Sequence, residues 1–229
     1  SEAVMPQDKS AAPSPDQQLV ALADAAWSLL ATHHIDRIDL AMVAQLAAVP
    51  HGLAAALGGS VQRLVLAKMA QLDRQAIIET YADIEDAGDV SIREKITEGL
   101  LHRFEVYAPY RAQITALNHA VRTHPELAMR LLDGLESVVR RILVMSGDDA
   151  KGITGMMRVK GVIGVCLAVA RVWMTDDSPD LAATMKALDQ RMQQAAEWGT
   201  SLRVFGRRRA PNDDAEDQNG GGRYGVDND

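Results

Sequence analysis

The chain has 229 residues, of which 47% are apolar, 24% charged and only 4% aromatic. That length and balance exclude a peptide scaffold and a disordered chain, and the many Ala, Leu, Val and Met residues favour helices over strands. A formal charge of -7 excludes broad electrostatic adhesion to nucleic acid, which needs cations to displace phosphate counterions; a local basic patch is compatible with it.

The elements follow in order. Ser14-Pro15-Asp16-Gln17 opens the first helix with a cap residue, a proline at the first helical position and a Gln three residues on. Leu19, Leu22, Ala23, Ala26, Trp27 and Leu30 form its buried stripe, and the spacing carries it to about Thr32. A second helix over 40–49 follows the capping residue Asp39. Pro50-His51-Gly52 breaks it, and a short third helix covers 53–57. A long helix through Val61, Leu64, Val65, Met69, Leu72 and Ala76 covers 60–81, and the acidic, glycine-containing stretch 83–89 reads as a linker. Ser91-Ile92-Arg93-Glu94 is a capping box that starts a helix to about Tyr107, where Pro109 interrupts. Helices over 111–121, 126–145 and 155–174 follow, and Ser178-Pro179-Asp180 launches a last one over 181–198.

The expected fold is all-α: a disordered N-terminus over 1–14, a small helix-turn-helix-like unit over 15–82, a larger helical half over 90–205 for ligand binding and dimerisation, and a polar, disordered tail over 206–229. The longest apolar run, 161–170, is about half the roughly 20 residues a membrane span requires, so it is expected to be buried. Residues 1–14 show no apolar secretory segment. The single cysteine, Cys166, rules out a disulfide framework, and a reducing, cytoplasmic setting is expected.

The third helix would be the reading head of a helix-turn-helix. It reads Leu53-Ala54-Ala55-Ala56-Leu57-Gly58-Gly59 and carries no Arg, Lys, Asn or Gln to reach a base edge. The order of elements over 17–76 resembles the N-terminal domain of the TetR-type transcription regulators, with 40–49 as support helix. In that family the segment matching 52–64 normally carries an aromatic pair, polar or basic residues and a following lysine; here Ala55, Ala56, Leu57, Gly58 and Val61 stand there. Under this resemblance DNA contact falls to backbone amides and to His51, Arg63 and Lys68, with a small apolar effector in the larger half.

The ending is more specific. Arg171-Val172-Trp173-Met174-Thr175-Asp176-Asp177-Ser178-Pro179-Asp180-Leu181, followed by Thr184, Leu188, Asp189 and Arg191, resembles the C-terminal domain of the lipid-binding accessory proteins of ubiquinone biosynthesis. Those proteins are similar in fold to TetR regulators and have a degenerate reading helix. TetR-type bacterial relatives share this ending, so both branches stay open. The ubiquinone resemblance implies a non-catalytic carrier of a lipid, isoprenoid or quinone.

Met129, Met145, Met156, Met157, Met174 and Met185 give the larger half a flexible, thioether-rich set, and Phe104, Tyr107, Tyr110 and Ile114 recur at helical spacing. Candidate walls of an apolar cavity are Phe104, Tyr107, Tyr110, Met129, Met145, Met157 and Trp173. In the resembled family the last two long helices form a four-helix dimer interface, which implies a homodimer through Gly161, Gly164, Ala168, Leu181, Met185 and Leu188. Trp198, Phe205, Arg207 and Arg208 join apolar anchors to a basic cluster, the pattern of contact with the inner face of a membrane. A scaffold that recruits a biosynthetic enzyme through its surface is a third reading.

The six histidines show no familiar metal-ligand spacing, and no phosphate loop, nucleophile elbow or paired acid and base is present in the sequence. No enzymatic activity, cofactor or metal is expected.

Overall fold

The computed structural model describes residues 13–207 and, beyond residue 197, only the path of the last helix. The described residues form nine α-helices and two 3-10 turns, with no strand among them. Of the expected disorder over 1–14 and 206–229, residues 1–12 and 208–229, with the membrane candidate Arg208, lie outside the described residues, whereas Ser14 caps the first helix and 206–207 continue the last one.

Helix α1, Pro15–Leu30, begins at the expected capping box: the Ser14 hydroxyl accepts from the Gln17 amide at 3.2 Å, and the Gln17 side chain accepts from the Ser14 amide at 2.8 Å. After a 3-10 turn at Ile35–Arg37, Asp39 caps α2, Leu40–Leu46, by accepting from the Met42 amide at 2.8 Å. This helix ends three residues before the spacing predicts. Ala48 takes a left-handed φ of 54°, its amide bonds to Gln45 O, and the Val49 amide bonds to Ala44 O. That closure normally uses glycine, and Pro50 keeps Val49 out of helical geometry. The turn is therefore 47–50, and His51 and Gly52 belong to α3, His51–Gly58.

Helix α4, Val61–Ala87, runs through the stretch expected to be a linker and stops at Gly88, whose φ is 75°. Two contacts explain the extension: Tyr81 donates to Glu85 one turn on at 2.6 Å, and Asp83 pairs with His102 of the neighbouring helix at 2.8 Å. That neighbour, α5, Ile92–Tyr107, starts at the expected Ser91–Glu94 capping box. A 3-10 turn at Ala108–Tyr110, containing Pro109, leads into α6, Arg111–Ala120, and then α7, Pro125–Met145, and α8, Gly152–Trp173. Helix α9, Ala182–Arg207, continues past the expected stop at Trp198.

Packing follows from the apolar stripes. Helix α4 lies against both α1 and α5, α7 against α4 and α8, and α8 against α9. Where α4, α5 and α7 meet, a Cβ on Gly99 would stand 2.8 Å from Ile142 Cγ2 and 3.4 Å from Thr80 Cγ2, so only glycine lets these three helices approach so closely. Helix α8 differs from its expectation of burial all round. Val159, Val162, Val165, Cys166, Val169 and Trp173 face inward, whereas Met156, Met157 and Leu167 are exposed. Its most apolar 18-residue window has a mean hydropathy of 1.6 and is 33% buried, so by length and composition alone the helix could cross a membrane.

The start of α9 also departs from expectation. Pro179 lies in a turn before the helix, and Leu181 has a φ of 51°. The capping is done from further upstream. Asp176 Oδ2 accepts from the Thr184 amide and hydroxyl, both at 2.7 Å, and Asp176 Oδ1 accepts from the Ser178 amide at 3.1 Å and hydroxyl at 2.5 Å. The Ser178 hydroxyl in turn accepts from the Ala182 amide. Hydrogen bonds from Ser178 and Thr184 prevail over burial and hold the Asp176 carboxyl well below the usual carboxylate range. An unfolded Asp titrates near about 3.9, so with the folded value lower this contribution is complete above about pH 5 and is lost as pH falls. Asp176→Asn is expected to lower stability at pH 7 and to flatten the loss of stability between about pH 5 and pH 2, read from denaturant midpoints across that range.

Candidate functional site

The helix pair α2–α3 bends by 111°, within the range of helix-turn-helix units. Ala54 and Gly58 turn inward, with Gly58 against Leu64, which leaves His51, Gly52, Leu53, Ala55 and Ala56 exposed. The outer face of α3 is thus small and aliphatic. Ser60 caps α4 by accepting from the Arg63 amide, and the Arg63 side chain is exposed. Lys68 is committed elsewhere: its ammonium sits 2.6 Å from Asp24 of α1 with only 13% of the side chain exposed. Residues 13–82 hold four Lys or Arg against six Asp or Glu. The electrostatics of this unit therefore offer little to a phosphate backbone.

The small unit is fastened to the larger half by polar and aromatic contacts that come from both. Trp27 of α1 meets Tyr107 and Tyr110 edge-on, with ring centroids 6.5 and 5.7 Å apart. Asp36, in the turn before α2, lies 2.8 Å from His124 Nε2 at the start of α7. Asp73 of α4 accepts from Arg103 Nε at 2.8 Å and from the Tyr107 hydroxyl at 3.1 Å, and the same hydroxyl lies 3.1 Å from Met69 O. Burial works against the Arg103 charge, but Asp73, Tyr107 and Cys166 together more than offset it and the net shift is upward; burial also pushes the Tyr107 phenol up. Neither group changes charge in the physiological range.

In the larger half the cavity candidates fall in different places. Phe104 and Trp173 pack together with ring centroids 6.0 Å apart, and Trp173 Nε1 donates to Phe104 O at 3.1 Å. Tyr107 is buried beside them in sequence register, Tyr110 and Met145 are half-buried, and Met129 and Met157 lie at the surface, 67% and 57% exposed. The seven do not converge on one void in this chain. A concavity of about 510 Å³ lies beside them instead, lined by Glu105, Ala108, Arg111 and residues 176–181. It is open, and polar and apolar groups share its lining about equally. Arg111 stacks 5.2 Å above the Trp173 ring, donates to Asp176 O and approaches Asp177 at 3.6 Å. Burial pushes the Cys166 thiol up to about 11, so it is no nucleophile at neutral pH.

Of the dimer candidates, Gly161, Gly164 and Met185 are exposed on the outer faces of α8 and α9, and Ala168 is half-buried. Leu181 and Leu188 face inward and are buried within the chain, because the stripe through Thr184, Leu188 and Met192 is the one that meets α8. Trp198, Phe205 and Arg207 belong to the helical path of α9; their side chains lie outside the described residues.

Three solved structures share this arrangement. A fatty acid degradation regulator, FadR, from Bacillus halodurans is 15% identical, with a TM-score of 0.57 over 79% of this chain and 96% of that one. A TetR transcriptional regulator from Rhodococcus sp. RHA1 is 16% identical, with a TM-score of 0.51 over 76% and 94%. A TetR-like transcriptional regulator from the same strain is 16% identical, with a TM-score of 0.52 over 81% and 98%. The fold is TetR-like. No family model and no curated protein matches the sequence.

The sequence reading passes over Asp73, Arg103, Asp176 and His124. A signal was present for two of them: Asp73 falls among the apolar positions 69, 72 and 76 of α4, and Arg103 among 100, 104 and 107 of α5, where an isolated charge would be costly. Asp73→Ala is expected to destabilise the fold by about 3 kcal/mol, because it strands a largely buried guanidinium, whereas Asp73→Leu combined with Arg103→Met recovers most of the loss. Urea unfolding of the single and double variants measures both.

Proposed function

We propose that the protein is a ligand-responsive transcriptional regulator that works as a homodimer. The observation that carries this reading is mechanical: a helix pair of helix-turn-helix geometry is tied through Trp27, Asp36 and Asp73 to the larger half, so a rearrangement of α5 to α7 moves α2 and α3 with it. Its support from comparison is the TetR-like fold shared with regulators, one of them a regulator of fatty acid degradation. The units 15–82 and 90–205 would divide the labour, the second holding a long apolar molecule that opens a space among the aromatic and methionine residues named above. Such an effector binds by burial, at about 25 cal/mol per Å², without any charged anchor. The exposed strip of Met157, Gly161, Gly164 and Leu167 on α8, with Met185 on α9, suits a second copy, since small residues admit close backbone approach. The chemistry is binding rather than catalysis, and the setting is cytoplasmic.

One observation favours a second reading. The outer face of α3 presents no base-reading side chain, and the unit around it is net acidic. A helix pair of this kind also fits a non-catalytic lipid or quinone carrier like the ubiquinone accessory proteins, which would hand its cargo to a biosynthetic enzyme at the inner face of the membrane.

Selection of genomic fragments on the full chain separates the two. The regulator is expected to retain a defined set of fragments, with a shallow salt dependence: one exposed Arg63 per protomer gives a log-log slope of about -2. Arg63→Ala weakens binding, whereas Lys68→Ala acts through the loss of its tie to α1. Absence of any retained fragment at low salt, together with a lipid mass in native mass spectrometry of the dimer, would sink the regulator in favour of the carrier. Light scattering that finds only monomer at micromolar concentration rejects the homodimer in either case.

A further inference from the structure

We propose a divalent transition-metal site between α4 and α5, formed by Asp83, Glu98 and His102. It stands apart from the regulator reading and does not depend on it.

Glu98 and His102 are four residues apart on α5, which puts both on one face of the helix. Helix α4 runs antiparallel beside α5, as Tyr107 bonding to Asp73 and Gly99 lying against Thr80 show, and brings Asp83 beside His102. One donor atom from each of the three residues lies within 4.8 Å of the other two. His102 Nε2 is 2.8 Å from Asp83 Oδ2 and 3.4 Å from Glu98 Oε1. Ligands at about 2.1 Å around a tetrahedral ion stand about 3.4 Å apart, so small side-chain rotations bring this set to coordination distance.

The other ring nitrogen supplies the independent argument. His102 Nδ1 lies 3.3 Å from Glu105 Oε2, on the side of the ring away from Asp83 and Glu98. A metal-bound imidazole is usually held this way: one ring N–H donates to a carboxylate, which fixes the tautomer and turns the lone pair of the other nitrogen toward the ion. In the neutral ring that lone pair faces two carboxylates, and a cation between them removes the repulsion. Charge agrees. Three carboxylates surround one imidazole that is mostly buried, its side chain 14% exposed, and among the described residues none of the three is paired to a Lys or Arg.

The donor set selects the class of ion. One imidazole nitrogen and two carboxylate oxygens suit Zn²⁺ and its neighbours Co²⁺ and Ni²⁺, whereas Ca²⁺ calls for six to eight oxygens and Mg²⁺ for a near-octahedral oxygen shell. An ion here would pin the C-terminal turns of α4 to α5, complementing the Asp73–Arg103 pair that holds the two helices further along.

The test uses the full chain, stripped with chelator and desalted. Titration with ZnCl₂ by calorimetry is expected to show one equivalent per chain, CoCl₂ to give tetrahedral-type d–d absorption displaced by Zn²⁺, and saturating ZnCl₂ to raise the thermal midpoint where MgCl₂ does not. Asp83→Asn, at an exposed position, and Glu98→Gln, at a half-buried position outside the core, should each weaken Zn²⁺ binding at least tenfold, His102→Ala should abolish it, and Glu105→Gln should weaken it ten- to a hundredfold. Absence of Zn²⁺ binding by the wild-type chain, or binding that survives unchanged in Asp83→Asn and His102→Ala, overturns the assignment.

Discussion

Asp73 and Arg103 place opposite charges in a contact that is almost closed to solvent, and much of the architecture can be read as the consequence of keeping them together. The carboxylate belongs to α4, which packs on α1 of the small unit; the guanidinium belongs to α5 of the larger half. Neither can leave the contact without exposing the other to an apolar surround. Tyr107 adds a hydroxyl to the same carboxylate and its ring to Trp27, so a single side chain ties the charge pair to the aromatic seam between the halves. Gly99, one turn away on α5, completes the constraint by admitting Ile142 of α7 to near contact distance. Charge, ring and missing side chain thus fix α5 against α4, α1 and α7 in turn.

That arrangement bears on how little the small unit needs from its own sequence. A seven-residue and an eight-residue helix hold few intrinsic contacts and are marginal alone. Their angle is kept by α1 and α4, which are themselves held by the larger half. The unit retains its shape although, past His51 at its start, the outer face of α3 carries only small and aliphatic groups. The shape of the unit is thus set by its packing partners rather than by the outer face of α3.

Legibility in the sequence followed the range of each interaction. Capping boxes at Ser14 and Ser91 are closed within four residues, and both helices begin where those motifs place them. The stripe of α1 is similarly local and is the buried face. Signals acting over a few more residues were harder to read. Ala48 adopts a conformation expected of glycine, so the end of α2 carried no glycine mark, and Asp176 reaches eight residues forward to Thr184 to cap α9, past the proline that looked like its start. Between helices, the sequence marked Asp73 and Arg103 as charges among apolar positions but did not pair them. Asp83 reads as part of an acidic linker until α5 is laid beside it, and His102 reads as one of six scattered histidines until three carboxylates surround it. For the candidate sites the sequence supplied residue types and helix faces but not neighbours. Leu181 and Leu188 were expected at a dimer interface from the family resemblance, whereas both are buried within this chain.

Helix α4 has a length that matters beyond packing. Its 27 residues, at about 1.5 Å each, make a rod roughly 40 Å long with one end at the α3 turn and the other beside Glu98 and His102. A rod of that length is a lever. Tilting it by about 5° about its middle would displace each tip by nearly 2 Å, in opposite directions, without breaking one of its internal hydrogen bonds. Sub-ångström repacking near the centre of the molecule is therefore magnified at the end that carries α3.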